Sequence, residues 1–132
     1  MPLHLIKLCV GVKEVDELAK WQKERRAQQR KAGVKKPVTR HLTRMTPKRD
    51  KELLGGGSLY WIIKGMILLR QPILGFSEDE DEGKPMCVIA LAPVQILVQP
   101  RAHRAFQGWR YLKSEDAPVD IKKGGRIYVD PQ

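Results

Sequence analysis

Five cations, Arg40, Arg44, Lys48, Arg49 and Lys51, fall within the twelve residues RHLTRMTPKRDK. The stretch Lys20–Lys36 supplies more positive charge nearby in sequence. Guanidinium and ammonium groups meet phosphates whatever the base sequence, and each neutralised phosphate steepens the salt dependence of binding. Single strands also need flat surfaces for stacking, and Tyr60, Trp61, Trp109 and Tyr111 can supply them. The expectation is a nucleic-acid-binding face. Arg40, Arg44, Lys48 and Arg49 hold phosphates, Trp61, Trp109 and Tyr111 are stacking or wall residues, and Lys64, Arg70 and Arg110 set orientation. A plainer reading stands beside it: Trp61 and Trp109 are ordinary core, and the basic stretch is a solvated surface.

Catalytic arrangements are missing. The only serines are Ser58, Ser77 and Ser114, none in a nucleophile elbow. Gly55-Gly56-Gly57 precedes Ser58 without the Lys-Ser/Thr of a phosphate loop, and reads as a helix stop and tight turn. The carboxylates of Glu115-Asp116 and of the run from Glu78 to Glu82 look like loop surface. His4, His41 and His103 share no paired spacing with one another or with Cys9 and Cys87, so no metal site and no cofactor are expected. Both cysteines read as buried, reduced thiols. The reading is therefore non-catalytic.

The elements that must position these residues follow from periodicity and punctuation. Leu3–Val12 reads as a strand buried on both faces, Leu3, Leu5 and Cys9 opposite His4, Ile6, Leu8 and Val10. Val15–Ala32 reads as a helix with acids first and bases last, its part beyond Gln22 polar all round and projecting from the core. Val38–Met45 reads as an edge strand, and Thr46-Pro47 as the cap and first turn of a short helix ending at Leu54. Leu59–Phe76, LYWIIKGMILLRQPILGF, is the longest apolar run. It reads as a hairpin turning at Lys64-Gly65, with one of Tyr60 and Trp61 partly exposed. If one strand ran through, Lys64 and Arg70 would share a face with Tyr60. Glu78–Glu82 reads as a solvated hairpin tip, or as a shield over the basic face. Met86–Val98 is a second apolar segment broken at Pro93.

The chain has 132 residues, 42% hydrophobic and 30% charged, with net charge +10. Residues 1–58 hold 15 Lys and Arg against 6 Asp and Glu, and residues 59–132 hold 10 against 9. Such segregation favours a polyanionic partner. The apolar run is too short to span a bilayer, and no export signal is evident at the N-terminus, so a cytoplasmic protein without membrane insertion is expected. The division expected is one α+β domain over residues 1–113 and a loosely packed tail over 114–132.

Several segments are familiar together: Arg44-Met45-Thr46-Pro47, Gly56-Gly57-Ser58-Leu59-Tyr60-Trp61, Lys64-Gly65, Arg70-Gln71 and Phe106-Gln107-Gly108-Trp109-Arg110-Tyr111-Leu112. On these the chain resembles, nearly end to end, the bacterial family called domain of unknown function 1489, found mainly in alphaproteobacteria. That resemblance implies no activity. The element order also looks like the PUA-like β-barrels with their ASCH and EVE relatives, which implies RNA or modified bases as ligands by fold analogy alone. The combined expectation is an α+β fold: a mostly antiparallel, curved sheet or small PUA-like barrel with one long basic helix and one short helix. Its function would be non-catalytic nucleic-acid binding, RNA more than DNA. The alternatives are a small enzyme or binding protein for an anionic small molecule, with Arg44, Lys64, Arg70 and Arg110 converging in a pocket, or a protein-interaction adaptor.

Overall fold

The computed structural model describes residues 2–121 and, in backbone, 127–128. The chain is α+β, a mixed sheet with two helices. Its strands are β1 (Leu3–Leu8), β2 (Thr39–Thr43), β3 (Ser58–Ile63), β4 (Met66–Asp81), β5 (Lys84–Leu91), β6 (Gln95–Ala102), β7 (Trp109–Lys113) and β8 (Ile127–Tyr128). The helices are α1 (Val15–Lys31) and α2 (Asp50–Leu53).

The strands run in the order β2-β5-β4-β3-β1-β7, and β6 continues along β4 after β5. Among the described strands only β1 and β3 pair in parallel; the other pairings are antiparallel. β2 and β7 stand at the two ends and do not pair, so the sheet is curved but not closed, and the small-barrel alternative is not met. The curvature is visible in one contact. His41 on β2 meets Trp61 on β3 edge to face at 5.0 Å, although β5 and β4 lie between their strands in the order. Only a sheet rolled toward itself brings those rings together. Two side-chain hydrogen bonds then span the gap between the ends. Trp109 Nε1 donates to the Met45 carbonyl at 2.8 Å, and the Arg49 N–H donates to the Tyr111 hydroxyl at 3.1 Å.

Alternation along β1 sorts its residues as the pattern requires. Leu3, Leu5 and Cys9 enter the core inside the curl with Leu18, Trp61, Ile89 and Leu91, whereas Ile6 joins Tyr60, Ile62, Val98 and Leu112 on the outer face. Both faces of β3 are covered, so Tyr60 and Trp61 are both buried, at 4% and 3% exposure. The expected partial exposure of one of them is corrected: the second cluster exists because β6, β7 and the 114–121 segment cover that side.

The hairpin turns at Lys64-Gly65, φ 51° and 76°, the pair of left-handed residues that a two-residue turn matching the sheet twist demands. A second turn of the same kind lies at Glu82-Gly83, φ 51° and 78°. The acidic run is therefore not a loop: β4 continues through it to Asp81, and only Glu82 belongs to the tip. Main-chain pairing to β5 out to Asp81↔Lys84 keeps the polar arm extended.

The far half of α1 does not project. Gln22 and Arg26 are buried, Arg26 donates to the Thr39 hydroxyl, and Gln29 bonds the Val38 backbone in both directions at 2.8 and 3.1 Å. A helix can dock a polar face when the surface opposite offers matching donors and acceptors, which its own periodicity does not reveal. α2 is shorter than expected: it begins at Asp50 after a turn at Lys48-Arg49, and Thr46-Pro47 lies in the irregular segment before that turn.

Candidate functional site

The open side of the curl, between β2 and β7, is the place where cations and aromatics meet. A cleft of about 730 Å³ lies there, walled by Lys7, Leu42, Arg44, Met45, Met86 and Trp109. Arg44 leaves the end of β2 exposed, and neither it nor Lys48 makes an ion pair or side-chain hydrogen bond among the described residues. Trp109 is held rigidly by its Met45 bond and by Tyr111, ring centroids 4.9 Å apart and nearly edge to face. Arg49 lies over the Tyr111 ring at 5.4 Å, with Glu52 taking both arms of its guanidinium at 2.5 and 2.7 Å. The carboxylate leaves Arg49 less charge for a ligand than Arg44 or Lys48 has.

The remaining candidates lie elsewhere. Arg40 pairs with Asp79 of the acidic arm at 2.6 Å, both partly exposed, a contact worth little in water. Arg70 sits opposite Tyr60 across β3 and β4, where it grips Asp120 with two bonds at 2.8 and 2.7 Å and donates to Ser58 at 2.8 Å. That bond to Asp120 holds its proton more tightly than in a free arginine. Arg110 stacks on Phe106 at 4.2 Å, on the face of β7 opposite Trp109 and Tyr111. Lys64 is in the exposed hairpin turn. Arg44 and Arg70 border different cavities, so the four cations of the small-molecule alternative do not converge.

A smaller pocket of about 290 Å³ opens on the α1 side, and Lys7 borders both it and the cleft. Its walls include Leu8, Val12, Leu18, Trp21, Arg40, His41 and Trp61. Behind Trp61 a polar knot fixes the wall. Gln71 accepts from Trp61 Nε1 and from Gln22, both at 2.9 Å, and gives its own N–H groups to Gln22 at 2.9 Å and the Ala92 carbonyl at 3.1 Å. Burial lowers the Lys7 ammonium below the usual lysine range, and no carboxylate among the described residues pairs with it. Burial likewise raises the Cys9 thiol to about 12, so it is inert toward alkylation at neutral pH, and both cysteines are free.

His41 is depressed to about 4 from 6.5, first by burial and then by Lys7, and its buried Nε2 has no hydrogen-bond partner. The unfolded chain takes up this proton below about pH 6.5 and the folded one only near 4, so the unfolded state binds more protons in that window. Stability should fall as pH drops through it, by about 3 kcal/mol in all from this residue. Denaturant unfolding at about pH 7 and about pH 4.5 checks this, with His41→Phe expected to flatten the slope. An unchanged slope in the variant would rule His41 out as the cause.

Lys7, Trp21 and His41 do not stand out in the sequence as site residues. The one signal for Lys7 is a single charge inside the apolar strand LHLIKL, and His41 carries none.

Residues 5–130 match the family described as Protein of unknown function (DUF1489). The chain belongs to that family. No curated protein and no solved structure matches it. The DUF1489 match covers every residue of the cleft and the pocket. No described helix is long and apolar enough to cross a membrane, and no three His, Cys, Asp or Glu among the described residues gather as metal ligands.

Proposed function

We propose that this protein binds single-stranded nucleic acid, RNA in preference to DNA, without catalysis, along the cleft between β2 and β7. The observation that carries the reading is the meeting of an unmatched cation, Arg44, with a braced aromatic wall, Trp109 on Tyr111, at one cleft, with the equally unmatched Lys48 four residues further along the chain. Phosphates would lie against Arg44 and Lys48, and a base would rest on Trp109. Arg49 would brace Tyr111 rather than hold a phosphate. The curled sheet would then be a PUA-like fold left open at one seam, with the seam as its binding side and the cytoplasm as its place of work.

Fluorescence anisotropy with a labelled single-stranded RNA tests this. Affinity should fall steeply with salt, by roughly 0.7 log units per log unit of salt for each phosphate contacted. Arg44→Glu with Lys48→Glu should lower affinity at least about tenfold and flatten that slope. Affinity that ignores salt, or survives the double charge reversal, would overturn the proposal. Protein purified without nuclease should also carry nuclease-sensitive RNA.

A further inference from the structure

The smaller pocket has a composition that the nucleic-acid reading does not use. Its walls are aliphatic and aromatic, with Trp61 at the back and Trp21 at the mouth. Inside this lining stand one ammonium, Lys7, and one buried imidazole nitrogen, His41 Nε2, that meets no partner. The third polar group of consequence, Arg40, already has Asp79 at 2.6 Å. The site therefore carries one unmatched positive charge and apolar walls, with an unpartnered but fully buried imidazole nitrogen behind them. At about 290 Å³ it lies at the small end of ligand pockets, the size of a single ring with substituents.

A partly desolvated ammonium without a counter-charge favours any anion that can reach it, and a single charge matches a monoanion better than a phosphate dianion. Aromatic walls favour a flat apolar body. We propose that the pocket between β1, α1 and β2 binds a small planar aromatic monocarboxylate. The carboxylate meets the Lys7 ammonium, and the ring lies among Leu18, Trp21 and Trp61, with the His41 ring in the wall beside it. This site is separate from the proposed RNA contacts at Arg44 and Lys48, and each can fail without the other.

Salicylate is the probe, because it joins a flat ring to a single carboxylate; benzyl alcohol has the ring without the anion, and acetate the anion without the ring. Titrations of the full chain followed by amide and indole NMR shifts should place salicylate at residues 7–12, at 40–41 and at the Trp21 and Trp61 indoles. Its affinity should exceed that of either fragment by about tenfold or more. Lys7→Gln should bring salicylate down to the level of benzyl alcohol, and Arg44→Glu should leave it unchanged. No salicylate shifts at millimolar concentration, equal binding of benzyl alcohol, or loss of binding in Arg44→Glu would each overturn the proposal. The ligand series needs no substitution, so it decides the matter even if Lys7→Gln fails to fold.

Discussion

Gly57→Ala should destabilise the fold by about 3 kcal/mol or more, the largest effect expected of a Gly→Ala change among the described residues. A Cβ at this position would stand 2.2 Å from the Leu3 carbonyl oxygen and 2.5 Å from the Leu53 carbonyl oxygen. Both are backbone atoms, so no side chain can swing away. Retreat is also blocked, because the Gly57 N–H donates to that Leu53 oxygen at 2.8 Å and its carbonyl accepts from the Ile73 N–H at 3.0 Å. To make room, the start of β1, the end of α2 and β4 would have to part, and the buried side chains of Leu3, Leu53 and Ile73 would part with them. Gly55, two residues earlier, serves as a control: the nearest atom a Cβ there would meet beyond its chain neighbours is the Glu52 carbonyl oxygen at 3.4 Å, so Gly55→Ala should cost far less. Denaturant unfolding of the two variants measures the difference. Near-equal midpoints would mean that the β1–α2 junction can open at little cost.

Gln71→Leu should cost about 3 kcal/mol, more than its similar size would suggest. Gln71 is wholly buried and makes four hydrogen bonds to three partners, Gln22, Trp61 and Ala92. Leucine in its place leaves Trp61 Nε1 without its acceptor and removes both bonds to Gln22, which is itself buried. Each buried polar group left unpaired costs roughly 1–3 kcal/mol. Gln22→Leu on the same background should cost less than it does alone, because its main partner has already gone. Strict additivity in that double-mutant cycle would show that the two amides do not depend on each other. The same knot ties α1 to β3 and β4, so its loss should also loosen the pocket wall at Trp61.

Much of the backbone was legible in the sequence because it depends on neighbours a few residues away. Lys64-Gly65 marks a turn that needs two positive φ values, and the hairpin forms there. The alternation of Leu3, Leu5 and Cys9 against Ile6 assigns each side chain of β1 to the correct face. The acidic arm misled because strand pairing with β5 overrides the local preference of consecutive carboxylates for open solvent. The far half of α1 misled because its polar face finds Thr39 and Val38, which lie beyond the turn that follows the helix.

The candidate site was legible only in its parts. Charge, aromatic content and the family motifs were all present in the sequence, yet charge counts cannot tell a cation already neutralised from one left open. Asp120 lies fifty residues from Arg70, and Asp79 thirty-nine from Arg40. Once folded, these pairs withdraw Arg70 and weaken Arg40 as ligands, while Arg44 and Lys48 stay open. The amino-acid sequence by itself determined the strands of the hairpin, the helix that follows β1, the two faces of β1 and the membership in DUF1489. Only the tertiary structure decided that the sheet curls without closing, and that Lys7 and His41 become partners of one pocket. The physical reason is range: turns and alternation are set by adjacent residues, whereas the curl and the neutralised charges come from contacts between distant ones.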